Sequence, residues 1–435
     1  MNLQFFLDQS TKLRISVFTF FYMAQGIPIA LLTIALPAWL IAQDFAAAEV
    51  AALVSITGLP WGFKLLAGPF MDRFSFAPMG FRRPWAMGAQ GGLVLAMASL
   101  CLVTDPAGQY WHLVCIGFII NCFAALQDVA VDGMAIDLLP SNERGRANAF
   151  MAFGQVAGYS VFGALNGWLL VAYGIPGTAL VSSIAILIVF ILVALVRERP
   201  GERLLPWTHG IAAPRSIKPA ASFGAILRDL MTVIFLPMSL VLTGAEFLSR
   251  MGAGITLTIF PLIAVQDLGF SSEQYAFAIS TASALSAVVG ILFGPLIDRY
   301  GVKYLLITGL LITILTTVMF ALAKPFWREA TFISGALFLS QLAAQMAFVA
   351  AIAGFMTICW TKVAATQFSI YMSLANLARS VGAGLYALIA IHLTNLEALY
   401  IVAGLNLLAV LLLLSLNLEE HKKHINRLNA PTSNS

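Results

Sequence analysis

The sequence predicts an all-α polytopic membrane protein, with twelve transmembrane helices arranged as two six-helix pseudo-repeats. Three observations predict it: the composition, the recurrence of long apolar runs, and a short motif that occurs twice at one topological position. Hydrophobic residues fill 60% of the 435 positions and charged residues only 10%. Water-soluble domains carry about 25% charged residues, so this chain lacks the charge to cover a wet surface. Apolar runs of about 18 residues or more, each able to cross ~30 Å of hydrocarbon, recur along the whole length.

The first six spans are expected at 15–41, 49–71, 85–103, 110–138, 147–172 and 177–196. The second six are expected at 230–264, 273–297, 303–323, 330–358, 367–393 and 397–418. Lys12 and Arg14 precede an apolar stretch too long for a cleavable signal core, so this stretch reads as a retained first helix. An even number of spans puts both termini on one side. Nineteen of the 24 Lys and Arg residues fall in the loops of that side, against only Lys324 and Arg328 in the opposite loops. Basic residues accumulate in cytoplasmic loops, so both termini are assigned to the cytoplasm.

Between the sixth and seventh spans lies the longest polar stretch, 197–229, with Pro200, Pro206, Pro214 and Pro219. It reads as a cytoplasmic linker. The expected units are an N-terminal bundle at 1–196, the linker, a C-terminal bundle at 230–418 and a tail at 419–435. His421 and His424, beside Lys422 and Lys423, read as a solvated basic end.

The repeat supports the split. Gly68-Pro69-Phe70-Met71-Asp72-Arg73 closes the second span, and Gly294-Pro295-Leu296-Ile297-Asp298-Arg299 closes the eighth. Arg82 and Arg83 follow the first copy. A glycine there allows close approach of a neighbouring helix. An Asp at a helix C-terminus is opposed by the dipole and needs a partner, which a conformational change can supply or remove. Gly68, Asp72, Arg73, Arg82, Arg83, Gly294, Asp298 and Arg299 are therefore candidate gating residues.

These loops resemble the signature of the major facilitator superfamily. A narrower resemblance rests on Trp61-Gly62-Phe63-Lys64, Arg82-Arg83-Pro84-Trp85, Gln127-Asp128-Val129-Ala130-Val131-Asp132-Gly133 and Ala365-Thr366-Gln367. Together they resemble AmpG-type permeases and the related acetyl-CoA transporters, across both halves. The resemblance implies the major facilitator fold and a proton-driven importer that carries anhydro-muropeptides across the bacterial inner membrane. The same broad family includes siderophore importers of the pyochelin and rhizobactin type, so a siderophore or another organic anion is the alternative cargo. Some muropeptide permeases are longer, with extra helices, which leaves the substrate open. A non-transporting membrane sensor or assembly factor is the alternative of another class.

Ionisable side chains inside a span carry a cost of several kcal/mol unless paired or hydrated, so each is a functional candidate. They are Lys64, Asp128, Asp132, Glu246, Arg250 and Arg379. Asp128 and Asp132 share one face of the fourth span, a face extended by Asn121 and Ala125. Lys64 and Asp132 each lie about eight residues from the cytoplasmic ends of their spans, so ~12 Å deep. A Lys64–Asp128 or Lys64–Asp132 pair that changes with protonation is the candidate proton-coupling element; a static ion pair is the plainer reading. Glu246 and Arg250, four apart, can neutralise each other or meet an anionic substrate. Arg379 has no acid within a turn or two and should face a cavity, where a substrate carboxylate can reach it.

Weaker candidates for substrate contact follow helical spacing: Tyr22 and Gln25, Gln155 and Tyr159, Gln341 and Gln345, and Asn376 one turn before Arg379. Interhelical hydrogen bonding is the competing role for each. Several chemistries are excluded. Cys101, Cys115, Cys122 and Cys359 show no metal or redox spacing, and the five histidines do not cluster. No phosphate-binding loop or catalytic triad spacing occurs, so no enzyme activity, metal or cofactor is expected. The net charge of +4 is spread through loops without a basic aromatic patch, which argues against nucleic acid. The expected partners are the lipid bilayer, a small-molecule substrate and protons, and the chain is read as monomeric.

Overall fold

Hydrocarbon offers no water to a peptide group, so a chain of this composition must satisfy its backbone within helices. The computed structural model describes residues 5–74, 76–140, 143–210, 223–327, 329–360 and 362–429. The first four membrane-length helices are α1 (Thr11–Ala42), α2 (Ala47–Met71), α3 (Arg83–Leu102) and α4 (Tyr110–Leu138). A 49-residue helical stretch, Arg146–Ala194, follows. At 1.5 Å per residue it would be ~74 Å long, more than two hydrocarbon crossings. Gly174 breaks it, with φ 64° and ψ −167°. The Ser182 hydroxyl donates to Asn166 Oδ1 at 2.9 Å, tying together residues eight positions either side of the break. The stretch is therefore a hairpin of two helices, α5 before Gly174 and α6 after it.

The second half repeats the plan. It comprises α7 (Pro237–Asp267), α8 (Ser272–Gly290, continued by Phe293–Tyr300 after a 46° bend), α9 (Val302–Leu322), α10 (Thr331–Ile358), α11 (Thr366–His392) and α12 (Asn395–Leu414). The expected uninterrupted eighth span is thus bent. The expected uninterrupted second span is likewise broken, by a tight 3-10 turn at Lys64–Leu66 that follows Pro60 and Gly62. The repeat extends to local irregularity. Pro28 in α1 precedes a π-helical stretch at Leu31–Ala35, and Pro261 in α7 precedes one at Ile263–Asp267.

Within each half, glycines bring two helices to backbone contact. A Cβ at Gly154 or Gly158 of α5 would overlap the carbonyl oxygens of Thr19 or Met23 in α1. A Cβ at Gly254 of α7 would overlap Arg379 O in α11, and one at Gly382 would overlap Met251 O. The pairs α1–α5 and α7–α11 are equivalent in the repeat.

The halves meet through α2 against α11 and α5 against α8. Gly58 packs on Ser380, Gly62 on Leu377, Gly163 on Ser280 and Gly167 on Ala276. The Ser55 hydroxyl donates to Ser380 O at 2.8 Å. Apolar plugs back these contacts. Ala51 packs with Ile255, Ile259 and Tyr386, and Ile34 with Ala264, Tyr275 and Ile279. Most of these contacts lie toward the side remote from the termini, with Gly62 on Leu377 nearest the terminal side. Toward the terminal side the halves separate. A Cβ at Gly68 would have only Val129 within reach, at 4.0 Å, and one at Gly294 would have nothing within 4 Å. The close helix approach expected at these two glycines is therefore absent in this conformation, which is closed on the remote side and open on the terminal side.

On the terminal face, Phe5–Phe6 pairs in parallel with Val196–Arg197. The Glu198 carboxylate accepts the backbone N–H groups of Phe81, Arg82 and Arg83, at 3.2, 3.0 and 2.6 Å. The start of the linker is therefore folded onto the N-terminal half rather than loose; its residues 211–222 lie outside the described ones. The linker ends in a helix, Phe223–Ile234, whose Asp229 pairs with Lys362 at 2.7 Å. The tail corrects an expectation. His421 is buried, with its Nε2 at 2.9 Å from Ile358 O. Leu418, His421 and Ile425 share one face of the helix Leu418–Asn429, and that face docks against the loop after α10.

Candidate functional site

Two polar centres lie in the membrane-spanning region. The first is in the N-terminal half. Lys64, at the turn that interrupts α2, places Nζ 2.7 Å from Asp128 Oδ2. The other Asp128 oxygen accepts from Gln25 Nε2 at 2.9 Å. One turn along α4, Asp132 Oδ1 accepts from the Tyr22 hydroxyl. Gln155 Nε2 donates in turn to Gln25 Oε1. Trp61 flanks the lysine, with its ring centroid 5.7 Å from Nζ, and its indole N–H donates to Asn121 Oδ1 at 3.0 Å. The cluster holds two carboxylates and one ammonium.

The broken helix explains the geometry. The 3-10 turn at Lys64–Leu66, one turn before Pro69, faces α4, where the i, i+4 spacing of Asp128 and Asp132 presents both acids to one side. Of the sequence-derived pairings, Lys64–Asp128 is formed. Of the expected substrate contacts, Tyr22 and Gln25 bond to the two aspartates here, and Gln155 donates to Gln25. Gln25 is fully buried, so it presents nothing to a cavity in this conformation.

The second centre is a cavity of about 230 Å³, formed mainly by the C-terminal half and closed by Thr33, Ile34 and Tyr159 from the N-terminal half. Glu246, Arg250, Gln341 and Arg379 line it. Arg250 Nε donates to Glu246 at 2.6 Å, and its guanidinium lies over the Phe348 ring at 4.4 Å. Gln341 Nε2 donates to Ser283 Oγ at 2.7 Å. Among the described residues Arg379 has no hydrogen-bond or ion-pair partner. Its backbone is pinned by the α7–α11 contact at Gly254, so its side chain is delivered to the cavity wall from a rigid crossing. Tyr159 is the one N-terminal candidate placed at the cavity. Gln345 packs against Gly290 of α8 instead, and neither it nor Asn376 is among the lining residues.

The loop candidates divide. The side chains of Asp72 and Arg73 lie outside the described residues. Arg82 Nε lies 3.7 Å from Asp137 Oδ2 at the end of α4. Arg83 is buried, and its guanidinium donates to Ala194 O at 2.7 Å and Arg203 O at 3.2 Å. Asp298 and Arg299 are exposed, with Arg299 over the ring of Tyr300 at 5.2 Å. Arg82 and Arg83, which follow the first copy, are thus tied into the terminal face of their half, and Asp298 and Arg299 of the second copy are solvated.

Other contributors escaped the sequence reading. Glu198 and the Arg14–Glu143 pair, at 2.8 Å, bind the terminal face. Arg14, which in the sequence marks only the cytoplasmic side, is 4% exposed. Thr33, Ser249, Thr256, Thr313, Thr317, Ser340 and Asn406 contribute polar atoms to the cavity wall. Serine and threonine give no signal, because their hydroxyls can bond to their own helix anywhere. Asn406 did give one: it is the single amide inside the apolar run Leu399–Leu414.

The comparisons with known proteins agree with this architecture. The family model described as Major Facilitator Superfamily matches twice, at residues 17–248 and 242–433. The anhydromuropeptide permease of Escherichia coli K12 is 27% identical over 367 residues, covering 82% of this chain and 70% of that protein. The putative transporter AmpG 3 of Rickettsia prowazekii is 24% identical over 366 residues, covering 80% of this chain and 82% of that protein. The crystal structure of the D-xylose-proton symporter superposes with a TM-score of 0.69 at 15% identity, over 92% of this chain and 97% of that one. That of the nucleoside transporter NupG (D323A mutant) gives 0.67 at 14%, over 94% and 100%. The relatives are permeases and transporters rather than enzymes, and the solved structures share the fold. With two six-helix halves, a cavity between them and a family match over both, this multi-pass membrane protein belongs to the Major Facilitator Superfamily of secondary transporters.

Proposed function

We propose that the protein is a proton-coupled importer of a polar, anionic small molecule such as an anhydro-muropeptide. One observation carries the reading: the two polar centres have opposite charge imbalances. In the N-terminal half two carboxylates share one lysine; in the cavity two guanidinium groups share one carboxylate. A proton neutralises the first centre and an anion neutralises the second. Uncompensated charge at this depth is expensive, so each centre favours its own ligand.

The distribution of Lys and Arg supports placing the termini in the cytoplasm, and the open side then faces inward. Transport requires the halves to rock, opening the remote side and bringing the motif ends of α2 and α8 toward their partners. Gly68 and Gly294 are the positions with room for that approach. Coupling follows if protonation and substrate each favour a different conformation from the empty, charged state.

The named cargo of the E. coli relative supports an anhydro-muropeptide. A second reading is a smaller organic anion, because the two guanidinium groups and one carboxylate of the cavity specify charge rather than a sugar or a peptide. The discriminating experiment is uptake by proteoliposomes carrying an imposed pH gradient, with labelled anhydro-muropeptide and small carboxylates compared. Accumulation that collapses with the gradient supports the proposal. Uptake indifferent to the gradient removes proton coupling, and uptake of the small acids alone removes the muropeptide.

A further inference from the structure

We propose that Gln25 and Gln155 form an amide relay that converts the protonation state of Asp128 into hydrogen-bond polarity on α5, one helical turn from Tyr159 at the cavity wall. The inference rests on the proton-coupled reading and goes beyond it by naming the groups that connect the two centres. Asp128 Oδ1 accepts from Gln25 Nε2 at 2.9 Å, and Gln25 Oε1 accepts from Gln155 Nε2. A carboxylate can only accept, so it forces the NH2 of Gln25 toward itself. That turns the Gln25 carbonyl toward Gln155 and forces the NH2 of Gln155 back in turn. Gln155 is left presenting its carbonyl oxygen, to which no described residue donates. Gln155 and Tyr159 are one turn apart on α5, and Tyr159 lines the cavity that holds Arg379. The relay is held taut by the α1–α5 crossing. A Cβ at Gly26, next to Gln25, would stand 2.5 Å from Tyr159 N and 2.6 Å from Gln155 O.

A proton on Asp128 Oδ1 reverses the polarity. The atom becomes a donor, Gln25 turns its carbonyl to it, and Gln155 then accepts from Gln25 and presents its NH2. The groups facing Asp128 from each packed element are Lys64 on α2, Asp132 on α4, and Tyr22 and Gln25 on α1; α5 contributes Gln155, which is uncharged. Lys64, released from Asp128, has Asp132 one turn away. Gln127 Oε1, 3.5 Å from Gln25 Nε2, biases Gln25 to its resting orientation, so the relay returns when the proton leaves. One turn from the cavity wall, an acceptor repels an anion in the cavity and a donor attracts it. Proton and anion therefore assist each other's binding, and the assistance is reciprocal.

The test is a proton-induced infrared difference spectrum of the full-length protein in lipid, with and without isotope-labelled glutamine. Acidification should produce a protonated-carboxyl band together with a glutamine-amide change that moves with the label. Asp128→Asn should remove the amide change, and Gln25→Leu and Gln155→Leu should each diminish it. Gln155→Asn, which keeps an amide but is one methylene short, should behave like Gln155→Leu, and its monodisperse elution controls for folding. A carboxyl band accompanied by an amide change of full size in both glutamine variants overturns the relay and leaves proton coupling standing. Absence of any carboxyl band overturns both.

Discussion

Replacing Lys64 by Met exposes the charge imbalance on which the N-terminal centre depends. In the wild-type cluster one ammonium, 2.7 Å from Asp128, serves two carboxylates one turn apart. Its removal leaves two acids with only the neutral donors Tyr22 and Gln25. Breaking a buried pair from one side costs about 3–5 kcal/mol, because the remaining charge has no counterion. Asp128→Asn is the milder change, since it leaves one carboxylate for one lysine and an amide that can still meet Gln25. Loss of about 1–3 kcal/mol, the cost of mismatched buried hydrogen bonds, is expected there. The combination of Lys64→Met with Asp128→Asn should therefore be less than additive, with a coupling energy of about 1–3 kcal/mol. The sign with pH follows from the charges: protons relieve the Lys64→Met cluster, so its deficit should shrink as pH falls. Tryptophan-monitored unfolding of purified protein in mixed micelles, across pH, measures this. Equal losses for both single variants, strict additivity, or a deficit that grows on acidification would refute the shared-lysine account.

Other consequences are open to measurement. Arg379→Ala should raise the KM of uptake by about 10- to 100-fold, the loss of a charge-assisted contact of about 1.5–3 kcal/mol, with Arg379→Lys recovering only part of it; an unchanged KM in both removes Arg379 from substrate binding. Burial raises the Glu202 carboxyl, in the segment after α6, to about 7. Its protonated form is therefore favoured by folding, and the stability it contributes is complete below the ordinary glutamate range and lost as pH rises through about 7. Glu202→Gln should flatten that part of the stability–pH curve, and an unaltered curve would contradict it. Cysteines at Ser55 and Gly384, where a Cβ at Gly384 would lie 2.7 Å from Ser55 Oγ, should cross-link α2 to α11 in a background lacking the four native cysteines. Oxidation should stop transport reversibly; full activity of the cross-linked protein would exclude opening of the remote side.

Much of the architecture was legible because lipid imposes simple rules. Long apolar runs mark spans, basic residues mark one side, and Gly-Pro-x-x-Asp-Arg marks the same corner of each half. The breaks were less visible. Pro69 stands four residues after Leu65 in the tight turn of α2, and Pro295 four after Ile291 at the bend of α8, so each leaves a carbonyl at the break without its helical donor. How far each helix turns there is decided by packing against its neighbours. The site was legible where a charge stood in an apolar run: Lys64, Asp128, Glu246, Arg250 and Arg379 could be named from cost alone. Partnership was not. Helical spacing put Tyr22 and Gln25 on one face, yet it could not tell a cavity from the aspartates of α4. Gln155 and Tyr159 also share a face, and they divide between the two centres because α5 passes both. Glu198 lay in a segment read as linker, and only the close approach of three N–H groups shows its role.

Uptake and proton movement recorded together in proteoliposomes, for the wild type, Asp128→Asn and Asp132→Asn, put the energy-coupling claim to its most direct trial. An electrode should register alkalinisation outside as substrate enters wild-type vesicles. Both variants should reach the membrane and exchange substrate downhill while failing to concentrate it. Undiminished concentrative uptake with matching proton flux in both variants would show that the carboxylate pair is structural and that the driving ion binds elsewhere.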